Sequence, residues 1–141
     1  MAEATYWAKI KPMLAGWDPV RIEGAGAGTP DVNHKYGWLE LKWARTWPKG
    51  ADVPLRVPHY TKEQKAWHVR RCHWGGLCHV LIGVAGESLL FEGDVAAEHL
   101  GKSTRAELYA LAAAHWNTNE TKFMKKELKN AILQGRTNRR G

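Results

Sequence analysis

The chain contains few cysteines and no long apolar run. Cys72 and Cys78 are the only cysteines among its 141 residues. Two are too few for a disulfide-stabilised scaffold, and free thiols fit a reducing compartment. No stretch approaches the roughly 18 consecutive apolar residues of a membrane-spanning helix, and the N-terminus lacks the basic-then-apolar layout of a signal peptide. We therefore expect a cytoplasmic protein without a membrane partner.

Acidic residues are also scarce relative to basic ones. The chain has 14 Asp and Glu against 21 Lys and Arg, a net charge of +7, which favours an anionic partner such as nucleic acid over a soluble basic protein without one. Most of the excess lies in residues 121–141, predicted as a basic helix and tail that follow a domain of residues 1–120. The lysines of this helix are candidate phosphate contacts, although a solvated helix face explains them equally well. They are Lys122, Lys125, Lys126 and Lys129.

Apolar periodicity predicts an α/β fold with a small mixed central sheet flanked by helices. Helical spacing is found over residues 2–14, 61–73, 96–100, 104–116 and 121–134. Strand patterns are found over residues 19–23, 36–43, 77–84 and 88–91, with an edge strand predicted at 53–57. In the last helix, the predicted buried side consists of Phe123, Leu128, Ala131 and Ile132.

One strand carries charges where an apolar pattern would be expected. Because strand side chains alternate between faces, Trp38, Glu40 and Lys42 share one face of residues 36–43. A turn at residues 34–37 would lay Asp31 beside Glu40. Three ionisable groups would then converge on one patch of the sheet.

Two carboxylates at one place need a compensating cation. Mg²⁺ takes oxygen ligands of this kind, so Asp31 and Glu40, with the backbone carbonyl of Leu41, are a candidate metal site. A metal there could activate water against a phosphodiester, and Lys42 could orient that water or stabilise the developing charge. The alternative is an ion pair of Lys42 with Glu40 or Asp31 on a solvent-facing strand. Asp31, which follows Pro30, could also be a turn residue.

The pattern Pro30-Asp31 followed by Glu40-Leu41-Lys42 resembles the signature of the PD-(D/E)XK nuclease superfamily. The resemblance covers roughly residues 3–84 and is to small phage-type and VRR-NUC-like members, which also resemble Holliday-junction resolvases of the same fold. It implies a restriction-endonuclease-like core and a Mg²⁺-dependent endonuclease, with Mn²⁺ as a possible substitute. It also implies DNA, including branched DNA, as substrate, and a homodimer if two strands of a junction are cut.

The same resemblance implies roles for individual residues. Asp31 and Glu40 would hold the metal, and Lys42 would be the catalytic lysine. Gln64 matches a glutamine that such nucleases carry on a nearby helix, although Thr61-x-x-Gln64 also fits a capping box. Glu3 matches a glutamate on the first helix, or is a solvated acid stabilised by the helix dipole.

Other residues are weaker candidates around the same site. Glu23 ends the predicted strand before the glycine loop, and Arg21 could hold a phosphate or pair with Glu23. Arg45 and Lys49 flank Trp47, which could stack on an unpaired base or, as we favour, pack under its loop.

Two further motifs suggest other ligands, but neither has the spacing that such a ligand needs. The loop at residues 24–28, GAGAG, lacks the Gly-Lys-Ser/Thr ending of a phosphate-binding loop. The stretch CHWGGLCH suggests zinc, but Cys78 and His79 are neighbours on a strand and point to opposite faces. Two alternative functions stay open: a non-catalytic DNA-binding domain and a zinc-stabilised interaction domain.

Overall fold

The structure is a computed structural model that describes residues 3–23 and 26–140, with side chains described for residues 4–23 and 26–134. Within these residues the chain forms six strands and five α-helices. The strands are β1 (Val20–Arg21), β2 (Val32–His34), β3 (Gly37–Ala44), β4 (Cys78–Val84), β5 (Glu87–Glu92) and β6 (Ala114–Trp116). The helices are α1 (Glu3–Ile10), α2 (Lys62–His73), α3 (Gly93–His99), α4 (Arg105–Leu111) and α5 (Thr121–Arg140).

The strands form one sheet in which spatial order follows chain order, β1 to β6. β3 and β4 run parallel, whereas the other neighbouring pairs are antiparallel. A parallel pair requires a crossover connection, and α2 is that crossover. The predicted α/β class with a small mixed central sheet flanked by helices is confirmed.

One face of the sheet packs against α1 and α5. Odd-numbered residues of β3 point to this face, and Leu39 and Leu41 are fully buried there. Burial of each such side chain stabilises the fold by roughly 1.5–3 kcal/mol. The hydroxyl groups of Tyr6 and Ser88 are joined by a buried hydrogen bond of 2.8 Å. The buried side chains of this layer include Tyr6, Ile10, Leu14, Val32, Leu39, Leu41, Leu81, Leu90, Met124, Leu128 and Ile132.

The other face of the sheet packs against α2, α3 and α4. Val80 and Ile82 of β4 pair with Phe91 and Leu89 of β5 on this face. The buried apolar side chains here include Ala44, Leu55, Val80, Ile82, Val84, Leu89, Phe91, Ala96, Leu100 and Leu108. Glu40 and Lys42 pair with Val80 and Ile82, so these charged residues lie at the margin of an apolar layer.

Several predicted elements differ from the observed ones at their ends. The first α-helix ends at Ile10 and continues as a 3₁₀ turn at Lys11–Leu14, because Pro12 has no backbone N–H to donate. Residues 53–57 form no strand. The predicted helix over residues 104–116 ends at Leu111, and Ala114–Trp116 pairs with β5 instead.

The last helix differs from its prediction in two respects. It extends to Arg140, beyond the predicted end at residue 134. Phe123 is 58% exposed and Met124 is buried in its place, because Met124 lies in helical register with Leu128 and Ile132. Within the described residues, no helix has both the length and the apolar character needed to cross a bilayer.

Candidate active site

The β2–β3 hairpin brings Asp31 and Glu40 together. Val32 pairs with Leu39 in this antiparallel ladder, so the next pair along it is Asp31 with Glu40. Directly opposed residues share a face of the sheet. The Asp31 carboxylate also accepts a hydrogen bond from the Leu41 amide, with 3.2 Å between Oδ2 and N, which fixes its position over the neighbouring strand.

Lys42 is buried beside Glu40. Glu40 is 1% exposed and Lys42 is 6% exposed, and the Lys42 Nζ atom lies 3.7 Å from Glu40 Oε1. The same ammonium donates to the Gln64 side-chain oxygen at 3.0 Å and to the His59 carbonyl at 2.9 Å. Burial of a lysine is tolerated when its charge is paired and hydrogen-bonded, and these contacts supply both.

Gln64 contributes to both the helix cap and the site. Its side-chain oxygen accepts from the Thr61 amide at 3.0 Å, and the Thr61 hydroxyl accepts from the Gln64 amide at 3.2 Å. The predicted capping box is therefore present. The same oxygen accepts from Lys42, and the side-chain nitrogen lies 3.5 Å from Glu40 Oε1. The two interpretations of Gln64 are compatible, because one residue makes both sets of contacts.

The segment that leads into α2 adds residues that the sequence analysis missed. His59 adopts a left-handed conformation with φ of 61°, and its carbonyl accepts from Lys42. The Tyr60 ring centre lies 5.4 Å from the Lys42 ammonium and 5.3 Å from that of Lys65. The Tyr60 hydroxyl is hydrogen-bonded to Nδ1 of His68 at 2.7 Å. His68 is four residues after Gln64, so helical spacing places both on one side of α2.

Tyr60 and His68 stay uncharged next to Lys42. His68 is fully buried, and burial lowers its pKa to about 4, with the Lys42 charge acting in the same direction and Asp31 opposing it. Burial also raises the pKa of Tyr60, and the charges of Cys78 and Glu40 add to that increase. The Tyr60 hydroxyl therefore keeps its proton, and its hydrogen bond joins it to a neutral imidazole.

The oxygen atoms at this site fit a hard divalent cation. The Trp38 amide donates to the Leu77 carbonyl next to β4, so the backbone N–H and C=O groups of even-numbered β3 residues point towards β4. Those of odd-numbered residues point the other way, which directs the Leu41 carbonyl towards β2 and Asp31. Among the residues that the structure describes, no three His, Cys, Asp or Glu side chains are grouped for metal binding. The available donors are two carboxylates and a carbonyl, which is the partial ligand set that Mg²⁺ completes with water and phosphate.

Some predicted residues lie away from this site. Arg21 is on the α1 face of the sheet, with its guanidinium 5.7 Å from the Trp7 ring centre. Lys129 donates to the Ala15 carbonyl at 2.8 Å. Like Lys129, the exposed Lys122, Lys125 and Lys126 belong to α5, on the face opposite Glu40 and Lys42. Glu3 begins α1, but its side chain lies outside the described residues.

Other predicted residues lie near the site. Arg45 is exposed and lines a cavity of about 320 Å³ together with Lys42 and His59. Lys49 is exposed on the loop after β3, and Glu23 is exposed after β1. Trp47 is half-buried, and its ring nitrogen donates to Glu87 at 2.7 Å, so it packs beneath this loop.

The glycine loop packs against the start of α2. Residues 24 and 25 lie outside the described part of the chain. Gly28 has a φ of 84°, and a Cβ atom there would lie 2.3 Å from the Glu63 carbonyl. A side chain is therefore excluded at this position. The loop packs directly against Glu63, the residue before Gln64.

The two cysteines lie apart from the two neighbouring histidines. Cys72 and Cys78 are both buried with Trp67, and burial raises the pKa of the Cys78 thiol. His79 points to the opposite face of β4, and His73 is exposed at the end of α2. These four residues do not converge on one point.

Two comparisons of the chain with known proteins identify no related protein. No protein-family model matches the chain, and a search of curated proteins gives no match.

Proposed function

We propose that the chain is a metal-dependent endodeoxyribonuclease that hydrolyses phosphodiester bonds. The observation that carries this proposal is the convergence of Asp31, Glu40 and Lys42 on one face of the sheet, with Gln64 contacting both Glu40 and Lys42. The hairpin, the following helix and the parallel strand that carry these residues also support the resemblance to PD-(D/E)XK nucleases.

Each residue has a defined task in this proposal. Asp31, Glu40 and the Leu41 carbonyl would hold Mg²⁺, for which Mn²⁺ could substitute. When bound, the metal would polarise the scissile phosphodiester and supply a reactive water. Lys42 places a positive charge beside these carboxylates, where it can stabilise charge that develops on the phosphate. Gln64 and the His59 carbonyl hold the Lys42 ammonium, because both accept hydrogen bonds from it.

A purely structural ion pair explains these residues less well. Replacing a buried pair with apolar residues is often neutral or stabilising, because desolvation offsets the attraction between the charges. Val80 and Ile82 flank Glu40 and Lys42 on β4, so apolar residues at both positions would extend the existing core. The charges are therefore better explained by chemistry than by stability.

The substrate in this proposal is branched DNA, such as a Holliday junction. A junction requires cuts in two strands, and one chain carries one candidate site, so the active form would be a homodimer. If the chain is encoded by a phage, the proposed location is the cytoplasm of the host cell. The positive charge of the chain supports binding to the DNA backbone.

Cleavage of a labelled four-way junction and of its matched linear duplex tests the proposal. We expect cutting of the junction with Mg²⁺ and none with EDTA. Asp31→Asn should abolish cutting and leave binding intact, because it removes a metal ligand and little volume. Equal cutting of the two substrates would contradict only the junction preference. No cutting of any DNA with Mg²⁺ or Mn²⁺ would refute the nuclease.

A non-catalytic DNA-binding domain is the second candidate. The exposed lysines of α5 favour it, because they lie on the face opposite Glu40 and Lys42 and could contact phosphates independently of that site. Binding of the junction without cutting, with a steep dependence on salt, would support this function over the nuclease.

A further inference from the structure

Three adjoining cavities run from Lys42 along the loop that follows β3. The first, of about 320 Å³, is lined by Lys42, Arg45 and Pro58 among others. The second, of about 310 Å³, shares Arg45 and Pro58 with it and adds Arg56. The third, of about 680 Å³, shares Pro48 and Val53 with the second. We call this chain of cavities the β3-loop groove.

The β3-loop groove carries an excess of positive charge. Arg45, Lys49 and Arg56 are exposed along it, and the Arg105 side chain is 54% exposed. Glu120 lines the third cavity and accepts from a backbone amide of its own turn. Basic side chains spaced along a concave surface are suited to successive phosphates of one strand.

The other acid of the groove, Glu87, is already compensated. Its carboxylate accepts from Arg105 at 2.9 Å and from the Trp47 ring nitrogen at 2.7 Å. It also accepts from the Tyr109 hydroxyl. Burial together with Glu87 raises the pKa of Tyr109 to about 12, so that hydroxyl stays protonated. The acid therefore orders three side chains and adds little repulsion towards a phosphate.

The third cavity also contains aromatic rings in fixed positions. The rings of Tyr109 and His115 meet edge to face with 4.6 Å between their centres. The Trp47 ring, which lines the second cavity, lies 6.0 Å from that of Tyr109, and the Arg105 guanidinium lies 5.0 Å from the Trp47 ring centre. His115 is exposed, so its ring is accessible for stacking on a base.

The dimensions of the groove favour one strand over a duplex. Cavities of this size enclose ligands the size of a nucleotide, and a base can enter one only when it is unpaired. Ala44 lies two residues beyond Lys42 on β3, and Glu87 lies two strands away from Ala44, on β5. The distance from Lys42 to Glu87 across the sheet is therefore about 12 Å at the usual strand spacings. A strand of no more than about four nucleotides covers this distance, because each nucleotide spans about 3.4 Å even in a stacked duplex.

We propose that the β3-loop groove binds a single-stranded stretch of DNA that leads away from the Asp31–Glu40–Lys42 site, with phosphates on Arg45 and Lys49 and a base against His115. This inference rests on the proposed nuclease function for the scissile end of the strand. Among branched substrates, it predicts faster cutting of a junction that carries an unpaired arm than of a fully paired four-way junction.

Binding of a fluorescent twelve-residue thymidine strand, measured by anisotropy in EDTA, tests the groove without cleavage. We expect Arg45→Gln/Lys49→Gln to bind about tenfold more weakly. Its slope of log affinity against log salt should fall by about 1.4, because two phosphate contacts are lost. The matched control is Lys11→Gln/Lys35→Gln, which removes two exposed charges away from the groove. Affinity within twofold of wild type for the groove variant, or an equal loss in the control, would overturn the proposal.

Substitution of His115 tests the stacking contact separately. His115→Ala should weaken binding at least fivefold and His115→Phe should retain it, because the phenyl ring keeps a stacking surface. Equal affinities of the two variants would count against the base contact. Tighter binding of a uridine RNA strand, or of a twelve-base-pair duplex, would overturn the assignment to single-stranded DNA. If the wild-type protein binds the thymidine strand as expected but cuts no DNA with Mg²⁺ or Mn²⁺, the nuclease function is refuted and the groove proposal still stands.

Discussion

Replacing Lys42 with methionine should destabilise the protein by removing the cation beside a buried carboxylate. Methionine keeps an unbranched side chain of similar length but has no charge. Glu40 is 1% exposed and would lose the ammonium that lies 3.7 Å from its Oε1 atom. The attraction between the two charges is about 4.5 kcal/mol at an effective dielectric constant of 20. Breaking such a pair from one side typically costs about 3–5 kcal/mol.

The double variant Glu40→Gln/Lys42→Met should recover most of this loss. Glutamine keeps the shape of Glu40 and can still bond to Gln64, but it leaves no buried charge. We expect the double variant within about 1 kcal/mol of wild type and a coupling energy of at least about 2 kcal/mol. The single variant should melt roughly 10–17 °C lower, given about 2.1 cal/mol/K of unfolding entropy per residue.

Urea unfolding in EDTA, run beside the junction-cleavage assay, measures both consequences. We expect neither variant to cut DNA and only the single variant to be strongly destabilised. A coupling energy below about 0.5 kcal/mol would refute the argument that burial makes this pair interdependent. Cleavage by the stable double variant would show that the two charges are dispensable for chemistry, and the proposed roles of Glu40 and Lys42 would be wrong.

Two other predictions concern acid stability and the helix cap. His34 and His68 are buried with their pKa values lowered from 6.5 to about 4; the unfolded chain therefore binds more protons below pH 6.5, and each histidine should reduce the unfolding free energy by roughly 2 kcal/mol between pH 7 and pH 5. A flat urea midpoint across this range would contradict that assignment. Thr61→Ala should cost about 1 kcal/mol of stability without slowing cleavage, because it removes only half of the cap. Gln64→Ala should cost a similar amount and also slow cleavage about tenfold; equal cleavage by these two variants would make Gln64 purely structural.

The meeting of Asp31, Glu40 and Lys42 could be predicted because it depends on local rules. Strand alternation places Glu40 and Lys42 on one face, and a short turn at residues 34–37 sets the register that brings Asp31 opposite Glu40. The predicted capping box likewise places Gln64 at the start of α2, and that helix is the crossover between β3 and β4. Each step uses a contact between neighbours in sequence or in the sheet.

The residues that were missed, and Arg21, which was predicted near the site but lies away from it, depend on longer-range geometry. Tyr60 and His59 reach Lys42 only because the loop after β3 returns to the sheet with His59 in a left-handed conformation, and no periodicity encodes that path. Arg21 belongs to a two-residue strand, which is too short for a pattern to indicate its face. By contrast, the burial of Met124 instead of Phe123 follows a local rule, because Met124, Leu128 and Ile132 are spaced four residues apart and lie on one side of the helix.

Two charged residues, Glu40 and Lys42, interrupt the apolar face that β3 turns towards α2. On the face that holds α2, the strand has Trp38, Glu40, Lys42 and Ala44 in succession, while the paired residues on β4 are Cys78, Val80, Ile82 and Val84. Apolar side chains at positions 40 and 42 would continue that layer and avoid the desolvation of two charges. Instead the fold surrounds Lys42 with a carbonyl, an amide oxygen and an aromatic ring, each of which stabilises a positive charge. A sequence selected for stability alone would not need this arrangement, whereas a site that handles a negatively charged phosphodiester requires a fixed cation there.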